Sequence, residues 1–146
     1  MAPAPVGGLG VTAERLRRDV LLAADEISDP CSVATGVRMG LVEMGIIRES
    51  DVIVEDGEDG EDGATVSLTL RLTAPGCLYY VGFERDLQLR VGAVDGVREV
   101  TVRRDPGYDW QESDIAEPGR LRLREHRLRE HRRRALQEAT ATSQQR

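Results

Sequence analysis

Residues 64–77 have the sequence ATVSLTLRLTAPGC and predict a β-strand that ends in a sharp turn. Apolar and polar side chains alternate strictly, the apolar set being Val66, Leu68, Leu70 and Leu72 and the polar set Thr65, Ser67, Thr69 and Arg71. A period of two residues places such sets on opposite faces of a sheet. We therefore expect the apolar set in the core and the polar set, with Arg71, on the opposite face. Ala74, Pro75 and Gly76 end the strand, and Cys77 follows them.

A helix is predicted on each side of this strand in the sequence. Over residues 13–28 apolar residues recur at helical spacing, with Thr12 as the cap and Asp29–Pro30 as the stop signal. A second helix is predicted from Cys77 to about residue 91. The positions expected to be buried are Leu16, Val20, Leu21, Ala24 and Ile27 in the first helix and Leu78, Val81, Leu87 and Val91 in the second.

Further strands and a last helix complete the predicted order. Residues 31–40 are expected to form a loop, residues 41–54 one interrupted strand or two short ones, and DGEDGEDG at 56–63 an acidic turn. Residues 97–102 alternate as a last strand, and residues 120–139 predict a helix. The order helix, strand, strand, helix, strand predicts an α+β fold. A single small sheet of three or four strands is covered by helices, and a C-terminal basic helix follows.

Composition restricts the classes of protein. No run approaches the roughly 20 apolar residues of a membrane span, and residues 1–10 lack the charged-then-apolar pattern of a signal peptide. We therefore expect a cytoplasmic protein with no membrane partner. Two cysteines, Cys31 and Cys77, are too few for a disulfide scaffold or for a four-thiolate metal site within one chain.

Charge is distributed unevenly along the chain. All 20 basic residues are arginine, and the net charge is −6. Residues 120–146 contain nine Arg and three Glu, a local charge of +6, which leaves −12 on residues 1–119. This pattern favours partner binding. The basic helix could contact nucleic-acid phosphates or an acidic client, or it could simply be solvated. The acidic remainder of the chain argues against nucleic acid.

Four segments in the same order resemble the MIP18-like (DUF59) family. They are DPCSVATGVRMGLV at 29–42, LTLRLTAPGC at 68–77, VDGVREVTV at 94–102 and DPGYDW at 105–110. The resemblance covers about residues 13–115. It implies a compact fold and a role in maturing iron–sulfur proteins. The chain then divides into a flexible N-terminus (1–11), a MIP18-like domain (12–118) and an Arg-rich helical tail (119–146).

The resemblance also implies functional residues. By matching positions, Asp29, Thr73 and Cys77 are the candidates, and Cys31 stands where the family usually has a glutamate. A thiol at the start of a helix is stabilised as the thiolate, the form that binds iron or accepts sulfur. The alternative is that Cys77 is a small buried hydrophobe. Thr73 would donate a hydrogen bond to a ligand or to the sulfur.

Cys31 is the second candidate ligand, beside Cys77, for a metal ion or an iron–sulfur cluster. If the turn at Asp29 lies near the cysteine loop, Cys31 and Cys77 share one pocket. Two thiolates make a soft site suited to an iron–sulfur cluster, copper or zinc, and they could also form a reversible disulfide. The alternative is a neutral substitution in a buried turn. Asp29 would either bond backbone N–H groups in that turn or act as a ligand.

The family resemblance implies two functions, and the basic tail suggests a third. The first is an accessory or scaffold factor that assembles or delivers iron–sulfur clusters and holds the cluster or iron transiently. Its partners are client apo-proteins and the assembly machinery, and a homodimer would supply four thiolates. The second is a dedicated maturation partner of one metal-dependent oxygenase. The third is a nucleic-acid-binding regulator that uses the basic tail. An enzyme is not expected, because the sequence contains no nucleophile–base pair, phosphate loop or zinc signature.

Overall fold

The computed structural model describes residues 8–57, 62–74 and 78–144. The helices are α1 (Gly8–Asp25), α2 (Pro30–Ala34), α3 (Tyr80–Gly92) and α4 (Glu117–Gln144), and the strands are β1 (Val52–Asp56), β2 (Ala64–Leu70) and β3 (Val97–Arg104). Short 3-10 turns cover Glu49–Asp51 and Glu112–Asp114. The predicted fold class is confirmed. The chain forms an α+β structure in which one three-stranded sheet is flanked by helices and followed by a C-terminal helix.

The strand predicted from residues 64–73 lies at the centre of the sheet. The strand order is β1-β2-β3, with β1 and β2 antiparallel and β2 and β3 parallel. The parallel pair needs a long crossover, which α3 provides. In this register Leu68 lies opposite both Val52 and Val102. The predicted alternation is confirmed along β2, where every second residue from Ala64 to Leu70 is buried.

The core forms between the helices and the buried face of the sheet. Leu16, Val20 and Ala24 of α1 belong to the same apolar cluster as Phe83, Leu87 and Val91 of α3. The buried residues of α3 recur at intervals of four, which is one stripe of the helix. The central strand adds Val66, Leu68 and Leu70, each with no exposed surface.

Arg71 is buried, whereas the alternation placed it on the face opposite the apolar core. The ladder of β2 ends at Leu70, and the N–H of Arg71 donates to the carbonyl of Ile46 at 2.9 Å. Only 4% of the Arg71 side chain is exposed. Its guanidinium donates to the Gly45 carbonyl at 3.3 Å and to Asp109 and Asp114, both at 3.2 Å. The side chain turns inward because these acceptors satisfy its charge.

Two apolar residues predicted to be buried near the second helix are exposed. Leu78 is 91% and Val81 is 71% exposed. The helix begins at Tyr80 and not at Cys77, so Leu78 precedes it. Phe83 takes the buried position that the sequence analysis gave to Val81, because the stripe of α3 runs through Phe83, Leu87 and Val91.

Residues 41–47 form tight turns and not the predicted strand. Their backbone closes on itself, with the N–H of Met44 bonded to Gly40 and that of Ile46 bonded to Leu41. Leu41, Met44, Ile46 and Ile47 are all buried. Among the described part of residues 41–57, β1 is the strand, and it pairs with β2 as a hairpin. The predicted loop at 31–40 contains the short helix α2.

The ends of several elements also differ from the predictions. Helix α1 begins at Gly8, within the segment expected to be flexible, and ends at Asp25, three residues before the predicted end. Strand β3 runs two residues further, to Arg104. Helix α4 begins at Glu117, so Pro118 and Gly119 lie inside it. None of the helices in the described ranges is both long and apolar enough to cross a membrane.

Candidate functional site

A cavity of about 260 Å³ lies beside α2, and we call it the α2 pocket. Its walls come from four parts of the chain: residues 29–44, Thr73, the segment 110–115 and helix α4. The apolar lining residues are Met39, Met44, Trp110, Ile115 and Leu123. The polar lining residues are Asp29, Cys31, Ser32, Thr35, Thr73, Glu112 and Arg127. The pocket therefore combines an apolar interior with groups that can bond to a ligand.

The start of α2 is held by hydrogen bonds between two buried residues. Asp29 is the N-cap, and its carboxylate accepts the N–H of Ser32 at 2.8 Å. The Ser32 hydroxyl donates to the Asp29 carbonyl at 2.7 Å and accepts the N–H of Met39 at 3.0 Å. Pro30 occupies the first helical position, where its missing N–H costs nothing. This network fixes Cys31, whose side chain is exposed, at the pocket wall.

The Asp29 carboxyl group lies in an unusual environment for an acid, because only 2% of the residue is exposed. Burial raises the pKa of Asp29, and the bonds from the backbone N–H groups of Ser32 and Cys31 oppose that effect. The observed role of Asp29 is therefore to bond the backbone of the turn. This is the first of the two roles that the sequence analysis considered.

Three of the four predicted site residues line the same pocket. Asp29 and Cys31 come from the start of α2, and Thr73 lies three residues beyond the end of β2. Cys77 lies outside the described residues. That these four residues bind a cofactor or metal stays a prediction.

The segment 109–115 forms one wall of the pocket, and Arg71 holds it in place. The indole N–H of Trp110 donates to the Met44 carbonyl at 2.7 Å. Arg71 bonds Asp109 and Asp114 on either side of this tryptophan. The backbone N–H of Gln111 lowers the pKa of Asp114, and the hydrogen bond from Arg71 lowers it further. The same arginine thus connects the end of the central strand to the tryptophan wall.

Helix α4 contributes the last wall. A Cβ atom on Gly119 would lie 2.8 Å from Met39 Sδ and 2.9 Å from Ile115 Cγ2, so a larger residue would require these side chains to shift. Leu123 is buried against the pocket. Arg127 donates two parallel hydrogen bonds to the Glu112 carboxylate at 2.7 and 2.8 Å, and this pairing lowers the pKa of Glu112. The first turns of the predicted tail are therefore part of the folded domain.

The structure is similar to the solved structure of a DUF59 domain. The crystal structure of a domain of unknown function, DUF59, from Bacillus anthracis matches 78% of this chain and 96% of its own, with 19% identity and a TM-score of 0.59. This chain has the fold of a DUF59 domain. The fold that the sequence resemblance implied is thereby supported.

A second solved structure gives a weaker match. It is the solution structure of Rv1466 from Mycobacterium tuberculosis, described as a protein associated with Fe-S complex assembly and repair. It is 22% identical, with 86% of this chain and 91% of its own covered and a TM-score of 0.40. Neither a protein-family model nor a curated protein matches the sequence.

Within the DUF59 fold, the described residues do not form a complete metal site. Across residues 8–57, 62–74 and 78–144, no three His, Cys, Asp or Glu side chains are grouped closely enough to hold a metal ion. Asp29 and Cys31 line the α2 pocket together, but the Asp29 carboxylate already accepts backbone hydrogen bonds. A soft metal centre here would depend on thiolates and would need ligands beyond those described.

Several residues of the α2 pocket were not identified from the sequence. Trp110 was given only as the last residue of the segment 105–110 and had no assigned role, and Glu112, Leu123 and Arg127 were not considered. A signal for Trp110 was present, since a single tryptophan in an aromatic-poor chain is expected to bond its indole N–H when it is partly buried. No comparable pattern marks Arg127, which is one of nine arginines in residues 120–146.

Proposed function

We propose that this protein is an accessory or scaffold factor that takes part in assembling iron–sulfur clusters or delivering them to client apo-proteins. The cluster, or its iron, is cargo that is held transiently. The observation that carries the proposal is the convergence of Asp29, Cys31 and Thr73 on the α2 pocket. These residues come from two sequence segments that resemble the MIP18-like family and are far apart in the chain. The DUF59 fold supports the same interpretation.

In this proposal the thiolates of Cys31 and Cys77 are the ligands. Iron–sulfur clusters are held mainly by cysteine thiolates, usually four of them. One chain supplies two, so a client protein or a second copy of the chain completes the coordination. Incomplete coordination by one chain is suited to handing a cluster on. Asp29 keeps its role in the turn, and Thr73 donates its hydroxyl hydrogen to a cluster sulfur.

The chain carries out no turnover chemistry of its own in this scheme. Its partners are client apo-proteins and the machinery that builds clusters, and it works in the cytoplasm. Recognition of a client and exposure of the thiolates are the two tasks that its residues perform. The exposed Cys31 side chain and the apolar interior of the pocket fit those tasks.

The test is anaerobic reconstitution of the purified chain with iron and sulfide. The variants are Cys31→Ser, Cys77→Ser and the double variant, with Thr35→Ser as a matched control that changes the same pocket by one methyl group. We expect the wild type and Thr35→Ser to bind equal iron and sulfide. Cys77→Ser should lose most of the uptake, Cys31→Ser about half, and the double variant all of it.

Two measurements decide between interpretations of this experiment. Iron and acid-labile sulfide are quantified per chain, and native mass spectrometry gives the number of chains per cluster. A cluster bridging two chains is expected when no client is present, because each chain has two thiols. Full uptake by the Cys31→Ser/Cys77→Ser variant would show that the thiols are not the ligands and would overturn the proposal.

A further inference from the structure

Helix α4 has two faces with different surroundings. The face that packs on the domain includes the buried residues Gly119 and Leu123 and the half-buried His126. The opposite face exposes three leucines, with Leu121 at 46%, Leu128 at 51% and Leu136 at 70%. Residues 131–144 are exposed throughout. The second half of α4 therefore has no partner within the part of the chain that the structure describes.

The exposed leucines alternate with arginines along one line of the helix. Leu121, Arg124, Leu128, Arg132 and Leu136 follow each other at spacings of three, four, four and four residues. Such spacing places successive side chains on the same face, one turn apart. We call this line the Leu–Arg ladder. Its five members are all exposed.

The two arginines of the ladder have no acidic partner among the described residues. Other arginines of α4 are paired: Arg122 with Glu43, Arg127 with Glu112 and Arg133 with Glu130. No ion pair is formed by Arg124 or Arg132 within the ranges 8–57, 62–74 and 78–144. The ladder thus presents two uncompensated positive charges between exposed apolar side chains.

We infer that the Leu–Arg ladder is a docking surface for an acidic amphipathic helix of a partner protein. A complementary helix would carry carboxylates opposite Arg124 and Arg132 and apolar residues opposite the leucines. Opposite charges across the interface select the partner and its register, and burial of the leucines adds affinity. This inference uses the outer face of α4 and is independent of the α2 pocket and of its sulfur chemistry.

The Leu–Arg ladder suits an acidic amphipathic helix better than it suits a nucleic acid, a lipid surface or a second copy of the chain. A nucleic-acid backbone offers phosphates but no apolar counterpart for Leu121, Leu128 and Leu136. An arginine interrupts the apolar line at each turn, so the ladder does not present the continuous apolar face that inserts into a lipid surface. A second copy of the chain that paired α4 with α4 would bring two arginine-rich helices together, and like charges across the interface would repel.

Binding to a synthetic helical peptide tests the inference. The peptide carries glutamate and leucine alternately at spacings of three and four residues, and a control peptide has glutamine in place of glutamate. Affinity for the full chain is measured by fluorescence anisotropy. The ladder variant is Arg124→Gln/Arg132→Gln. The matched control is Arg120→Gln/Arg134→Gln, which removes the same charge from exposed arginines that also lack ion pairs in the described ranges.

We expect the ladder variant to weaken binding of the glutamate peptide about tenfold, and Leu128→Ala about fivefold. The matched control should weaken it less than twofold. All these positions are exposed, so circular dichroism should show the wild-type helix content. The inference fails if both double variants weaken binding equally, or if the glutamine peptide binds as tightly. It also fails if duplex DNA or anionic vesicles bind the ladder more tightly than the peptide, or if the chain is a dimer that Leu128→Ala dissociates.

Discussion

Replacing Arg71 with methionine should destabilise the protein by about 2 kcal/mol. Methionine keeps the apolar stem but removes three hydrogen bonds, to Gly45, Asp109 and Asp114. Asp109 is 64% exposed and its pair contributes only about 0.5 kcal/mol. Asp114 is 33% exposed, and a charge-assisted bond discounted for solvent contributes about 1 kcal/mol. The long bond to the Gly45 carbonyl contributes about 0.5 kcal/mol.

The size of the loss should depend on pH through Asp114. The pKa of Asp114 is lower in the folded state than in the unfolded chain, in part because of Arg71. The stabilisation is therefore complete above the unfolded pKa of about 3.9 and is lost as the pH falls through the folded value. The difference between wild type and Arg71→Met should accordingly be largest near neutral pH and should shrink in acid.

Urea unfolding measures this effect with two independent signals. Circular dichroism follows the whole fold, and the fluorescence of Trp110, the only tryptophan, follows the wall that Arg71 holds. A double-mutant cycle with Asp114→Asn should give a coupling energy of about 1 kcal/mol at neutral pH. A coupling below about 0.3 kcal/mol, or a loss independent of pH, would show that the guanidinium does not hold this segment.

Two further predictions concern the core and the α2 pocket. Leu68→Ala removes a fully buried side chain from the central strand and should lower the free energy of unfolding in urea by about 3–4 kcal/mol. Leu89 is 64% exposed, and Leu89→Ala should lower it by less than about 0.5 kcal/mol. Equal losses from the two substitutions would refute the assigned core. Asp29→Asn keeps a side-chain oxygen for the helix cap but removes an acid whose pKa is raised by burial. In the wild type, ionisation of Asp29 destabilises the folded state as the pH rises from the unfolded pKa to the folded pKa. The asparagine variant should therefore be at least as stable as wild type at neutral pH and lose that advantage below about pH 4, and a variant that is less stable at neutral pH would contradict this sign.

Periodicity in the sequence accounts for the parts of the fold that could be predicted. The strict alternation of residues 64–70 identified the central strand, and the helical spacing of Leu16, Val20 and Ala24 identified the first helix. The same reasoning failed for residues 41–47, because a continuous apolar run shows that a segment is buried without showing its conformation. It failed for Arg71 because the alternation no longer applies once the chain leaves strand β2, which ends at Leu70.

The docking of α4 left little trace in the sequence. The contact uses Gly119 and Leu123, and the surrounding residues are mostly arginine and glutamate. Pro118–Gly119 was interpreted as a boundary. In the structure the proline lies in the first turn, where no N–H is needed, and the glycine permits close approach to Met39. The sequence also grouped Asp29, Cys31 and Thr73 only through the family resemblance, since no spacing rule connects residues 29–31 with residue 73.

The position of α4 in the chain has a consequence for the newly synthesised protein. Cys31 leaves the ribosome early, whereas Leu123 and Arg127, which close the α2 pocket, emerge almost 100 residues later. At typical rates of about 5–20 residues per second, the cysteine spends several seconds without that wall. Only a chain that is finished and folded presents the complete pocket. Premature termination before residue 123 would therefore leave Cys31 without two of the side chains that line the α2 pocket in the folded chain.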